Sequence, residues 1–284
     1  MLIVRYKGVP IADVDQRVDW SSLDRAEAMR EQAPMTDHLT TRLADGVLTL
    51  ALDRPAKKNA LTDAMYGALA DGLGRAEGDE AIRVVVIASS SDAFTAGNDL
   101  GEFATQAAGA GPAERQVGRF LAALVNASVP IVAGVSGLAV GVGATMLLHC
   151  DLVLMAEHAT LATPFIDLAL VPEAASSVLL PQRIGHALAF EMFALGRRLT
   201  AAEALTHGLA NRVLPAGELD AAVAEMARAL AERPVAALRI TKQLMRDPAR
   251  LHHVMDQEGA HFAAQLRSHE ARARFAAFAA RGRG

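Results

Sequence analysis

The stretch Ile131-Val-Ala-Gly-Val-Ser-Gly-Leu-Ala-Val-Gly-Val-Gly-Ala-Thr-Met146 decides how the rest of the chain is read. Ile131–Val135 is β-branched and small, which predicts a strand. Gly137, Gly141 and Gly143 predict a tight turn, and Ala144–His149 a short helix after it. A strand that runs through glycines into a helix ends on unpaired backbone N–H groups, which suit a negative or developing negative charge. Other readings are open at this point. The spacing Gly-x-Gly-x-x-Met lacks the third small residue of a dinucleotide fingerprint. Gly134-Val-Ser136-Gly-Leu138 has leucine where a hydrolase elbow needs glycine. The glycines could also serve only a close approach to a neighbouring strand.

Outward from this segment the pattern is regular. Val47–Leu52 alternates as a strand and Asp53-Arg54-Pro55 turns. Thr62 caps a helix whose Met65, Leu69 and Leu73 share one face. The apolar run Val84–Ala88 predicts a strand buried on both faces. A polar loop follows over 89–99, then a helix over Ala113–Asn126, strands at Leu152–Met155 and Thr160–Thr163, and turns over Pro164–Pro172. Beyond Glu173 the chain reads as helical, interrupted by a short strand in Leu209–Leu214, and a single long helix is expected from Arg250 to Ala280. Alternating strands and helices closed by helices predict an α/β fold. Residues 1–37 show no sustained period and are set apart as an extension of unknown role.

The 284 residues suffice for a large core without staples, and the single cysteine, Cys150, excludes a disulfide framework and a cysteine-based zinc site. Its apolar setting predicts an inert thiol. A net charge of −4, with four lysines among 28 basic residues, argues against nucleic-acid binding. The longest apolar runs fall short of a membrane span, and Arg5 and Lys7 break what would be a signal peptide. A soluble, cytoplasmic protein is expected, with no metal site. The nine histidines show no ligand spacing.

Two more segments carry chemistry. In Phe94-Thr-Ala-Gly-Asn-Asp-Leu100, directly after the buried strand, Gly97 allows a turn that aims the Asn98 N–H into a pocket at the carboxyl end of the sheet. With the Val142 N–H it would form an oxyanion hole. Asn98-Asp99 could equally be a helix cap. In Thr163-Pro-Phe165-Ile-Asp167-Leu-Ala-Leu-Val-Pro172-Glu173-Ala-Ala-Ser-Ser177, Glu173 is an acid among apolar and small residues, a setting that raises a carboxyl pKa and suits a general base. It could instead complement the dipole of a following helix.

These segments in this order resemble the enoyl-CoA hydratase/isomerase (crotonase) superfamily over roughly 40–280. The resemblance is carried also by Leu52-Asp-Arg-Pro55 with Asn59-Ala-Leu-Thr62, by Cys150-Asp151, and by Gly196-Arg-Arg-Leu-Thr-Ala-Ala-Glu-Ala204 with Gly208-Leu-Ala-Asn211. It implies a ClpP/crotonase-like spiral of ββα units over 38–195 and a mainly helical trimerisation region over 196–284. It also implies an acyl-CoA substrate, a homotrimer or dimer of trimers, and no cofactor beyond the CoA of the substrate. The positions that match the two hydratase acids hold Thr145 and Phe165. A lone acid at Glu173, with Thr-Pro-Phe upstream and Ser-Ser downstream, is similar to the Δ3,Δ2-enoyl-CoA isomerase branch, although Ala174-Ala175 stand where that branch often has glycine.

By this resemblance Glu173 is the proton shuttle and the amides of Asn98 and Val142 hold the thioester oxygen. Lys57, Lys58, Ala96, Asp99 and Leu100 border the substrate or its CoA. For the lysines a solvated surface pair is an equal reading, and for Asp99 a loop anchor. Asp167 ranks below Glu173 as an acid. The basic end with Arg267, Arg272, Arg274, Arg281 and Arg283 could meet phosphates or simply be solvated. The alternatives to an isomerase are an enoyl-CoA hydratase, another acyl-CoA reaction on this fold, and a non-catalytic or RNA-binding member.

Overall fold

A computed structural model describes residues 37–107 and 115–281. Residues 1–36 of the 1–37 extension, Ala113 and Arg283 lie outside the described residues. Two sheets organise the chain. The larger contains β1 (Leu39–Ala44), β2 (Val47–Leu52), β3 (Val84–Ser89), β4 (Ile131–Val135), β6 (Leu152–Ala156) and β9 (Arg212–Leu214) in that order. Only the β1–β2 hairpin in it is antiparallel. The smaller contains β5 (Leu138–Val140), β7 (Thr160–Ala162) and β8 (Leu199–Thr200). The chain therefore places β4 in one sheet and β5 in the other, then β6 and β7, then β9 and β8 in reverse order. This alternation is the spiral that the sequence leads one to expect.

Residue type accounts for these positions. β3 and β4 lie inside a parallel sheet and carry buried Val84–Ile87 and Ile131–Val135, whereas β2, beside the edge strand β1, alternates. Helix α1 (Asp63–Gly78) begins where Thr62 accepts from the Met65 amide at 3.2 Å. It packs on α3 (Gln116–Asn126) through Tyr66 and Phe120, with ring centroids 5.7 Å apart. Fully burying each such leucine, valine or aromatic contributes about 1.5–3 kcal/mol.

Four features differ from the sequence reading. The 137–143 turn contains strand β5, held because Thr95 donates to Leu138 O and accepts from Val140 N. The short helix starts earlier, as α4 (Val142–Thr145) and then a 3-10 turn over Met146–His149. A helix, α2 (Leu100–Ala107), follows the 89–99 loop because the Asp99 carboxylate receives the amides of Gly101 and Glu102. After α5 (Ser176–Ile184), α6 (His186–Leu195), α7 (Ala201–Thr206), α8 (Leu219–Ala231) and α9 (Val235–Leu244), the expected long C-terminal helix is two, α10 (Pro248–Leu266) and α11 (His269–Arg281), since Ser268 Oγ accepts the Ala271 amide and starts a new helix. A second apolar cluster, with Phe103, Phe165, Leu170, Leu266 and Phe275, fastens α11 over α2 and the 165–170 segment. Among the described residues no helix is long and apolar enough to cross a membrane.

Candidate active site

The site is assembled from three loops. The first is set by Asn59, fully buried at positive φ, whose amide nitrogen donates to Ala93 O at 2.8 Å and Phe94 O at 3.1 Å. This ties the Leu52–Thr62 motif to the Phe94–Leu100 loop. Leu61 donates to Gly97 O and accepts from Asp99 N, so Asn98, lying between them, turns its own N–H to the opposite side. Its side chain is held by Tyr66, whose hydroxyl donates to Asn98 Oδ1 at 2.6 Å.

The second loop is the glycine-rich one. Gly141 has φ +57° and ψ −120°, a conformation reserved for glycine, and it begins α4. Val142 and Gly143 then present the first amides of that helix, which have no acceptor within it. A Cβ on Gly97 would lie 2.7 Å from Val140 O. The two loops are thus in backbone contact, and the close-approach and amide-presenting readings hold together.

The third loop brings Glu173. It lies before α5 (Ser176–Ile184), whose N-cap is Ala175, so it does not complement that helix as a first-turn residue. Its Oε1 instead accepts from Thr145 Oγ1 at 2.5 Å. Burial pushes its pKa up to about 7, the Thr145 hydrogen bond opposes this, and the charge of Glu258 adds to it. Ala174 and Ala175 both adopt left-handed backbone, φ 60° and 56°, which accounts for a glycine preference there.

Asn98 and Glu173 line one cavity of about 720 Å³ that continues between α3 and α10 past Val117, Leu121, Met255 and Phe262. Val142 does not line this cavity; it is buried, its side chain packed in the main core. Arg267 and Arg272 also line the cavity; Lys57, Lys58, Ala96, Asp99 and Leu100 do not. Lys57 and Lys58 are exposed on the outer side of the first loop, where Lys58 O accepts from Ala96 N. Asp99 meets Arg54 at 2.7 Å and the start of α2. Burial raises its proton affinity, but hydrogen bonds from Arg54 and the Glu102 and Gly101 amides more than reverse this. Leu100 packs beside the second apolar cluster, and Phe165 is part of it.

Cys150 is buried and its thiol is pushed up to about 12 by burial, consistent with an inert thiol. Sequence reasoning missed Tyr66, the donor role of Thr145, and Glu258. Nothing local marks them, since each acts on a residue 28 or more positions away.

Residues 42–282 match the family described as enoyl-CoA hydratase/isomerase. The chain belongs to the enoyl-CoA hydratase/isomerase family. It is 35% identical over 219 residues to Enoyl-CoA delta isomerase 2 of Rattus norvegicus, covering 75% of this chain and 56% of that protein. The chain thus spans little more than half the length of that relative. It is 34% identical over 218 residues to the carnitinyl-CoA dehydratase of Proteus mirabilis, covering 75% of this chain and 81% of that one. The solved enoyl-CoA hydratase/isomerase of Pseudoalteromonas atlantica T6c superposes with TM-score 0.82 at 41% identity, over 86% of this chain and 97% of the other. The family's crotonase fold is therefore the fold of this chain, while the names of its relatives cover more than one reaction.

Proposed function

We propose that this protein is an acyl-CoA enzyme that moves a C3–C4 double bond to C2–C3. The observation that carries the reading is Glu173, a carboxylate with its pKa near 7, on the cavity that Asn98 also lines. The thioester oxygen accepts the N–H groups of Asn98 and Val142. Glu173 takes a proton from C2, negative charge spreads onto that oxygen as a dienolate, and the same carboxyl returns the proton to C4. One proton is moved and no water is added, so a single acid suffices. Thr145 and Phe165, where two-acid members carry glutamates, favour this over hydration. The reaction needs no cofactor beyond the CoA of the substrate. The acyl chain would follow the apolar channel between α3 and α10, and the segments that carry Lys57, Lys58, Ala96, Asp99 and Leu100 would border the CoA outside it. A homotrimer in the cytoplasm fits the family.

The test supplies a 3-enoyl-CoA and a 2-enoyl-CoA separately and follows conjugated-thioester absorbance. Isomerisation is expected; efficient hydration of the 2-enoyl-CoA without isomerisation would overturn the reading. The pH profile follows from the same carboxyl. The base must be deprotonated, so kcat/KM should rise to a plateau above about pH 7 and fall about tenfold per unit below it. A limb near 4.5 would contradict the role of Glu173. Tyr66→Phe removes the hydroxyl that steadies Asn98 and should lower kcat about three- to tenfold, with KM little changed.

A further inference from the structure

Helix α5 has no cap of its own. Its N-cap is Ala175, which has no polar side chain, and the backbone before it is held in two consecutive left-handed residues. Such a conformation persists only where its surroundings over-determine it. The restraint comes from α10. Glu258, 7% exposed, accepts the Ala175 amide on Oε2 at 2.6 Å and the Ser177 amide on Oε1 at 2.9 Å. On the other side His149 meets Ala174 O at 2.8 Å; a carbonyl only accepts, so its Nε2 carries the proton. Glu258 also lines the cavity that Glu173 faces.

We propose that Glu258 is a positioning residue for Glu173: it fastens the left-handed Ala174–Ala175 segment to α10 and so holds the Glu173 carboxylate toward Thr145 and the cavity. This rests on the reading of Glu173 as the proton-transfer group. Two effects follow from one carboxylate. Its hydrogen bonds fix the backbone immediately after Glu173, and its negative charge, close to a second carboxylate in a poorly solvated site, disfavours the ionised form of Glu173.

Other groups facing this space are accounted for. Tyr66 of α1 is neutral, its pKa raised well above the ordinary value chiefly by burial. Arg115, before α3, is tied to Asp63 and Glu102. His252 and Asp256 of α10, Arg267 and Arg272 line the cavity, and His149 behind the loop is held neutral by burial, its pKa about 4. Of these charges, the one that acts on Glu173 is that of Glu258.

The test is Glu258→Gln in the full-length protein. The amide side of glutamine cannot accept, so one backbone hydrogen bond is lost together with the charge. Exchange of the Ala175 and Ser177 amides with deuterium should accelerate about tenfold or more, with α1 unchanged. The titration of the Glu173 carboxyl, followed by infrared difference spectroscopy against Glu173→Gln, should move to lower pH. With a 3-enoyl-CoA, kcat should fall about ten- to a hundredfold while KM stays within about threefold, and the acid limb of kcat/KM should move to lower pH with the titration. Wild-type exchange and an unmoved titration would overturn the proposal, as would lost activity with both unmoved. Should this variant not fold, Glu258→Asp keeps the charge on a shorter arm; it should lose kcat severalfold with the limb in place, and full kcat would overturn the proposal. Exchange and titration need no substrate, so the positioning role can fail while the isomerase reading stands, and the reverse.

Discussion

Glu173→Gln is expected to lower kcat by about 10²–10⁴-fold, the range over which a positioned acid–base group contributes, with acyl-CoA affinity changed less than a few-fold. The amide is nearly isosteric, and its oxygen can still accept the 2.5 Å hydrogen bond from Thr145. The cavity therefore keeps its shape, and only the exchangeable proton site is lost. Stability supplies the internal control. The carboxyl has a folded-state pKa of about 7 against an ordinary 4.5, so it binds its proton more tightly in the folded state. The folded protein consequently loses stability as pH rises from about 4.5 to 7, and the full penalty is present above 7. Glutamine carries no such penalty, so the variant should have a Tm at pH 8 no lower than wild type. Inactivity with a preserved or raised Tm would assign the loss to chemistry. Activity within threefold of wild type would remove Glu173 from the mechanism.

Gly97→Ala should be nearly as damaging, for a different reason. Gly97 has φ +88°, and an added Cβ would stand 2.7 Å from Val140 O. Neither is relieved by a side-chain rotation, because the clashing atom is backbone. The loop must move away from β5, and the strand it would press on leads through Gly141 to Val142. Both amides assigned to the thioester oxygen are displaced together, and losing such donors costs about 10²–10³-fold in kcat. The strained backbone should also lower stability by about 1–3 kcal/mol. Gly74→Ala is the matched control: it lies exposed in α1, with nothing within 4 Å of the added methyl. It should leave kcat unchanged and raise stability by up to about 1 kcal/mol. Equal kcat in the two variants would show that the contact between the loops does not position the amides.

Much of the architecture was legible because it is written locally. The alternation in Val47–Leu52, the unbroken apolar runs at Val84–Ala88 and Ile131–Val135, and the Thr62 cap each depend on neighbours within a turn or a strand. The misreadings share a cause. β5 is three residues among glycines and exists only because Thr95 and β7 pair with it. The split at Ser268 hides in a continuous helical pattern, because one serine hydroxyl capturing one amide leaves no periodic trace.

The site divides the same way. Glu173 stood out as an acid in apolar surroundings, and Gly97 and Gly141 as positions able to turn the chain. By itself the sequence determined that these three motifs occur in the order that marks this family. It left open whether Asp99 and Glu173 cap helices and whether the glycines serve packing or charge. Tertiary structure decided these points: Asp99 caps α2 and pairs with Arg54, while Glu173 bonds Thr145 and leaves the start of α5 to Glu258. A residue's type and its spacing to near neighbours limit what it can do. Its proton affinity depends on which distant groups the topology brings within a few ångströms and how much water they exclude, and that is set only when the sheets and helices close around it.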